Sequence, residues 1–156
     1  MATATTVERY LGMQHLPYEV IAHAKAGTSL RAARAAAVPP KQLVKGILLE
    51  VEGQYLLAVL PAARHLRLAE LRRHLDRDIG MATEHEVTMV FRDCDPGAVP
   101  ALGLAYGVET IWDDSVMYLD DLYFEAGDHE HLVHMRARDY MDMLRCCAHG
   151  SFSEPI

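Results

Sequence analysis

Two apolar runs, 43–51 and 55–60, flank Glu52-Gly53 and form the strongest pattern in the chain. Each run has strand length and the acid–glycine pair between them suits a tight turn. The spacing therefore predicts a hairpin that Pro61 ends. Upstream, Thr5-x-x-Glu8 has the form of a capping box and predicts a helix from Thr6 to about Gln14. Pro17 leads into a short strand over 18–22. The alanine-rich stretch 29–37 reads as a helix that Pro39-Pro40 stops. Downstream, Leu68, Leu71 and Leu75 recur at helical spacing within 66–75, and Thr83-x-x-Glu86 is a second capping box opening a short helix to about Val90. From Asp93 to Gly107 the chain is rich in turns, with Pro96, Gly97, Pro100, Gly103 and Gly107. Segments 108–112, 122–125 and 131–135 follow as strands, and 137–144 as a closing helix. Strands mix with helices without a strict βαβ rhythm. The expectation is a single α+β (mixed α/β) domain over 1–150, a curved mixed sheet flanked by helices, with 151–156 as a disordered C-terminal end.

A chain of 156 residues suits one domain with a real core, and 51% hydrophobic with 24% charged residues is an ordinary globular mix. No apolar stretch approaches the length of a membrane span. The first six residues have neither a basic start nor an apolar run, so no secretory leader is expected. Cys94, Cys146 and Cys147 make an odd set with two adjacent, a poor disulfide framework that fits a reducing cytoplasm. The net charge of −7 argues against broad nucleic-acid binding, including DNA, across the whole surface. Charge is uneven, however. Arg64, Arg67, Arg72, Arg73 and Arg77 face only Glu70 and Asp76 within their segment, whereas Glu109 to Glu130 carries acids and no Lys or Arg. The arginines suit either a local patch for one end of an RNA or a solvated helix face.

Lys45 is the most informative residue. Side chains alternate along a strand, which puts it on the side of Ile47, Leu49 and Val51. A lysine there either reaches out to solvent or sits in a pocket with a task. The loop Asp95-Pro96-Gly97-Ala98-Val99-Pro100-Ala101-Leu102-Gly103 can present backbone groups to a ligand, or be an ordinary surface loop. Phe124-Glu125-Ala126-Gly127-Asp128-His129 is a strand end and glycine turn with an ionisable tip. A metal site would draw on His129, His131 and His134, but a zinc helix needs His-Glu-x-x-His, and the fifth position from His129 is Val133. Cys146-Cys147-x-His149 lacks ordered partners. No metal is expected.

Taken in order, His23, Thr28, Gln42-x-x-Lys45, the hairpin ending Ala58-Val59-Leu60-Pro61-Ala62, Leu68-x-x-Leu71, the Pro96–Gly103 loop, 116–123 and Phe124–His129 resemble the YbaK-like family, the prolyl-tRNA synthetase-associated editing domain. The resemblance runs over roughly 7–144. It implies trans-editing: hydrolysis of a mischarged aminoacyl-tRNA carrying a small amino acid of the Ala, Cys or Ser type, without cofactor or metal. The partner it implies is the acceptor end of aminoacyl-tRNA, with an aminoacyl-tRNA synthetase beside it, in the cytoplasm and away from membranes. Carried over position by position, Lys45 and Gly97 are the expected catalytic residues. His23, Thr28, Pro100, Ala101, Gly127, Asp128 and His129 are the expected substrate-binding ones. The sequence departs from the family in two places: Ala101 stands where the motif has proline, with Pro100 one place earlier, and Gly46 stands where a small polar residue often follows the lysine. The rival reading is a non-catalytic module of the same fold that binds aminoacyl-tRNA or an amino acid.

Overall fold

The computed structural model describes residues 3–156. Met1 and Ala2, with which the expected domain begins, lie outside the described residues. Among the described residues, five α-helices, α1 (Thr5–Gln14), α2 (Ser29–Ala35), α3 (Leu68–Leu75), α4 (Glu84–Val90) and α5 (Ala137–Met143), surround three sheets. The largest combines β2 (Val44–Val51), β3 (Gln54–Pro61), β5 (Ile79–Met81), β6 (Glu109–Asp113) and β9 (Ala148–Gly150) in the order β5-β2-β3-β6-β9. The first three are antiparallel neighbours, and β6 and β9 add in parallel. A second sheet runs β1 (Glu19–Ala22), β8 (His131–Arg136), β7 (Asp121–Glu125), all antiparallel. The third is a ribbon of β4 (Arg64–Leu66) and β10 (Ser153–Pro155). A bridge between Leu43 and Tyr123, with Tyr123 N–H donating to Gln42 O at 2.9 Å, joins the two larger sheets. This is the mixed α+β single domain expected.

Alternation along β2 and β3 divides the core. Val44, Leu48, Leu57 and Val59 face the second sheet, α1 and α5, where Leu11, Phe124 and Tyr140 are buried. Leu49, Val51, Leu56 and Ala58 face α3 with Leu71 and Phe152. Ala32 and Ala33 of α2 cover Leu43, Ala62 and Leu132. The small side chains on α2 let its backbone lie close to the sheet.

The turn at Glu52-Gly53 forms with both residues at positive φ, the twist a two-residue hairpin loop needs. The strand continues through Pro61, which pairs with Val44 at the end of the ladder. Thr83 and Glu86 form the capping box reciprocally. Thr5 does not: Ala4 holds the N-cap without a side-chain bond, and Asp93 reaches across the fold to accept from Thr6 N–H at 2.9 Å. The expected disorder of 151–156 is corrected. Phe152 is buried, Asp113 accepts its N–H at 2.9 Å, and β10 pairs with β4. A single aromatic residue entering the core is enough to hold a short polar end.

Candidate active site

The ladder between β5 and β2 covers only Leu49–Val51, and its last rung is Ala82 N–H to Leu48 O at 3.1 Å. Peptide groups alternate sides along a strand. The N–H and C=O of Gly46 therefore face the same open edge beyond that rung. A cleft of about 280 Å³ opens there. Lys45, Gly46 and Ile47 form its floor. Met81, Ala82, Glu84 and Val87 form one side, Gly97 and Val99 the other, and Ser29 of α2 closes an end. A second hollow of about 540 Å³, lined by His85, Thr88 and Pro96, shares Glu84, Val87 and Gly97 with it. The two make one groove between α4 and the 96–99 loop.

Lys45 is half-buried, and burial pulls its ammonium below the ordinary lysine value. Among the described residues it makes no ion pair. An added Cβ at Gly46 would stand 3.0 Å from Leu57 Cδ1, so the bare glycine lets the hairpin close at this point.

The opposite wall is clamped from behind. Asp95 N–H donates to Gly127 O at 2.7 Å, and Tyr140 OH donates to the Ala101 carbonyl. Pro96 O accepts from His129 Nε2 at 2.6 Å. A carbonyl only accepts, so this nitrogen carries the proton, and buried Nδ1 is left without a partner. Gly97 has φ +84° beside the His129 ring. Gly127 has φ +123°, and a Cβ there would stand 3.2 Å from Ala4 Cβ and from Cys94 Sγ. Both positions require glycine.

Behind His129 lies Glu125, 2% exposed with Oε1 unpartnered. Burial pushes its carboxyl up to about 7, against the opposing pull of His129 and with a further push from Asp128. Asp128 is itself held below the usual range. Burial would raise it, but hydrogen bonds from Glu130 N–H and His131 outweigh that. Burial pushes the Cys94 thiol up to about 12, which leaves no thiolate near neutral pH and removes it as a nucleophile.

Of the residues singled out from sequence, Lys45 and Gly97 meet across the cleft, and Gly127, Asp128 and His129 form the turn that backs it. His23 N–H pairs with Glu130 O at 2.8 Å, next to that turn, and its buried Nε2 has no partner. Thr28 is exposed and caps α2 by accepting from Arg31 N–H; its neighbour Ser29 lines the cleft instead. Pro100 and Ala101 are buried and shape the loop from inside, away from the cleft. Ser29, Met81, Glu84, Val87 and Glu125 were not legible as site residues. The capping box announced α4 but not what it faces, and β5 is too short to show a period.

The three histidines turn to separate partners: His129 to Pro96 O, His131 to Asp128, and His134 to Glu19 and Asp121. The arginines of 64–77 are largely engaged. Arg64 is held by Ser153 and Arg72 by Ile79 O, while Arg67 and Arg73 pair with Glu70 and Arg77 with Glu52.

Residues 23–143 match the family model described as an aminoacyl-tRNA editing domain. Among solved structures, a hypothetical protein shares 18% identity and a TM-score of 0.83, covering 96% of this chain and 99% of that one. A candidate trans-editing enzyme for prolyl tRNA synthetase shares 20% identity and a TM-score of 0.80, covering 97% and 96%. A candidate signal transduction protein from Marinobacter aquaeolei VT8 shares 23% identity and a TM-score of 0.76 over 95% of this chain and 30% of that one. At such identities the likeness is one of fold. No curated protein matches the sequence significantly.

Proposed function

The chain belongs to the aminoacyl-tRNA editing domain family, and on that premise we propose that it hydrolyses the ester of a mischarged tRNA carrying a small amino acid. The observation that carries the reading is the shared cleft of Lys45 and Gly97, small, apolar-walled and open at a strand edge. An aminoacyl ester is already activated, so the site has to position it, admit water to the carbonyl carbon, and meet the charge that gathers on the carbonyl oxygen. The Lys45 ammonium, poorly solvated and without an ion-pair partner among the described residues, suits that oxyanion or the phosphate beside it. The ribose hydroxyl leaves with the proton that water gives up. Backbone groups supply the rest: Gly46 on one side, and on the other the loop whose preceding carbonyl His129 fixes. Ile47, Met81, Val87 and Val99 leave room for a side chain of the Ala, Cys or Ser class, and their bulk excludes larger ones.

The tRNA side of the reading rests on charge. Between Val20 and Leu49 the cations Lys25, Arg31, Arg34, Lys41 and Lys45 occur without a single acid. The first four are exposed, and α2 delivers Ser29 to the cleft. This arc suits the phosphates of an acceptor stem better than the self-paired arginines of 64–77. We place the protein in the cytoplasm, acting beside a synthetase such as the prolyl enzyme and without a metal. The test is ester loss from alanyl-, cysteinyl-, seryl- and prolyl-tRNA at one salt concentration. Hydrolysis of at least one small mischarged ester above its spontaneous rate is expected. Binding without any hydrolysis would replace the enzyme by a binding module.

A further inference from the structure

A second cleft, of about 420 Å³, lies where β2 begins and β3 ends. Its wall includes Tyr118, at 81% the most exposed large apolar side chain described, on a short 3-10 helix, Asp114–Tyr118. An aromatic ring so exposed has a free face. Lys41 lines it too, exposed and without an ion-pair partner among the described residues. Arg64 completes the cationic side. Its Nε donates to Ser153 Oγ at 2.6 Å and one terminal nitrogen to Ser153 O at 3.1 Å, which fixes the plane and leaves the other terminal nitrogen free. Asp120 and Gln42 supply acceptors at the rim.

We propose that this cleft is a subsite for one unpaired nucleotide of the RNA acceptor strand, its base stacked on Tyr118 and its phosphate held by Lys41 and Arg64. The inference rests on the editing reading above and extends it from the ester to the strand that carries it. A nucleotide presents a flat apolar face, a fixed negative charge and exocyclic amino donors. The cleft offers the complement of each: a ring, two cations and the Asp120 carboxylate. The position agrees. Lys41 is four residues from Lys45, so their Cα atoms are at most about 14 Å apart, within reach of one continuous single strand. With the ester in the Lys45 cleft, a preceding nucleotide of the strand is within reach of Lys41, which lines the same cleft as Tyr118.

The test is equilibrium binding of uncharged tRNA by fluorescence anisotropy, beside deacylation of the same tRNA when aminoacylated. Tyr118→Ala should weaken binding by about 5- to 100-fold, the effect of losing one base–aromatic stack. Tyr118→Phe, which keeps the ring, should bind like the wild type, as should Met117→Ala at the exposed position next to it. Binding unchanged in Tyr118→Ala overturns the subsite. An equal loss in Tyr118→Phe also overturns it, because the hydroxyl and not the ring would then be responsible. So does a wild-type protein with no affinity for tRNA. Uncharged tRNA has no ester, so a stacking loss in Tyr118→Ala supports the subsite even where no ester is hydrolysed. Hydrolysis with unchanged binding removes the subsite and leaves the deacylase standing.

Discussion

Glu125→Gln should stabilise the protein by an amount that grows from about pH 4.5 to about pH 7 and is constant above it. In the fold the Glu125 carboxyl is raised from an ordinary 4.5 to about 7, chiefly by burial. The folded state therefore holds this proton more tightly than the unfolded chain does. That contribution is fully present below pH 4.5 and is lost as pH rises through about 7. Above that the wild type keeps a buried carboxylate with one oxygen unpartnered. The difference between the two pKa values corresponds to about 3 kcal/mol. Glutamine keeps the shape and cannot ionise. At pH 8 the variant should gain up to about 3 kcal/mol, and near pH 4 almost nothing. For a chain of this length that is a rise in Tm of about 6–12 °C at pH 8. Thermal melts by circular dichroism between pH 4 and pH 8 measure it. A Tm difference that stays constant across the range would refute the reasoning, because a packing effect has no reason to follow the titration.

Four further outcomes are expected. Lys45→Ala should abolish deacylation while moving Tm by no more than about 4 °C, the equivalent of about 1 kcal/mol; full activity would remove the lysine from the mechanism. Gly97→Val forces a branched residue to φ +84° beside His129, which should cost about 1–3 kcal/mol and depress turnover at least tenfold, read by melting and by initial rates. Dialysis against EDTA should leave turnover unchanged, and stoichiometric zinc by elemental analysis with loss of activity on chelation would revive a metal site. Arg31→Ala and Arg34→Ala should each lower the slope of log affinity for tRNA against log salt by about one unit, whereas Arg73→Ala, paired with Glu70, should not.

The hairpin, α4 and the side on which Lys45 points were legible because each follows from local chemistry: a turn that needs positive φ, a reciprocal cap, a two-residue period. The first capping box misled because its pattern is local while the actual cap, Asp93, lies 87 residues away. The C-terminal strand was invisible for a related reason. Nothing in Ser-Phe-Ser-Glu-Pro-Ile announces that β4 waits for it. At the candidate site, Lys45 and Gly97, which line one cleft, could be singled out from the sequence, but not the walls between them. Ser29, Met81 and Val87 are ordinary residues made important by the early end of β5, and where a strand stops short of its neighbour is a tertiary fact. Thr28 and Ala101 each hold part of the frame around the cleft, Thr28 by capping α2 and the Ala101 carbonyl by receiving Tyr140.

The ribbon of β4 and β10 bears on how the molecule opens. Two three-residue strands close a loop in which Arg64 and Ser153 are 89 positions apart. The chain entropy of such a closure grows to about 4 kcal/mol before constants, and few rungs repay it. The pairing belongs late in folding, after the hairpin, and early in unfolding. Slow amide exchange should be confined to β2 and β3, with Leu66 and Glu154 exchanging far sooner. Phe152 is the ribbon's anchor on the α3 side of the sheet, packed in one cluster with Leu49 and Leu71, so release of the ribbon should expose that cluster to water first.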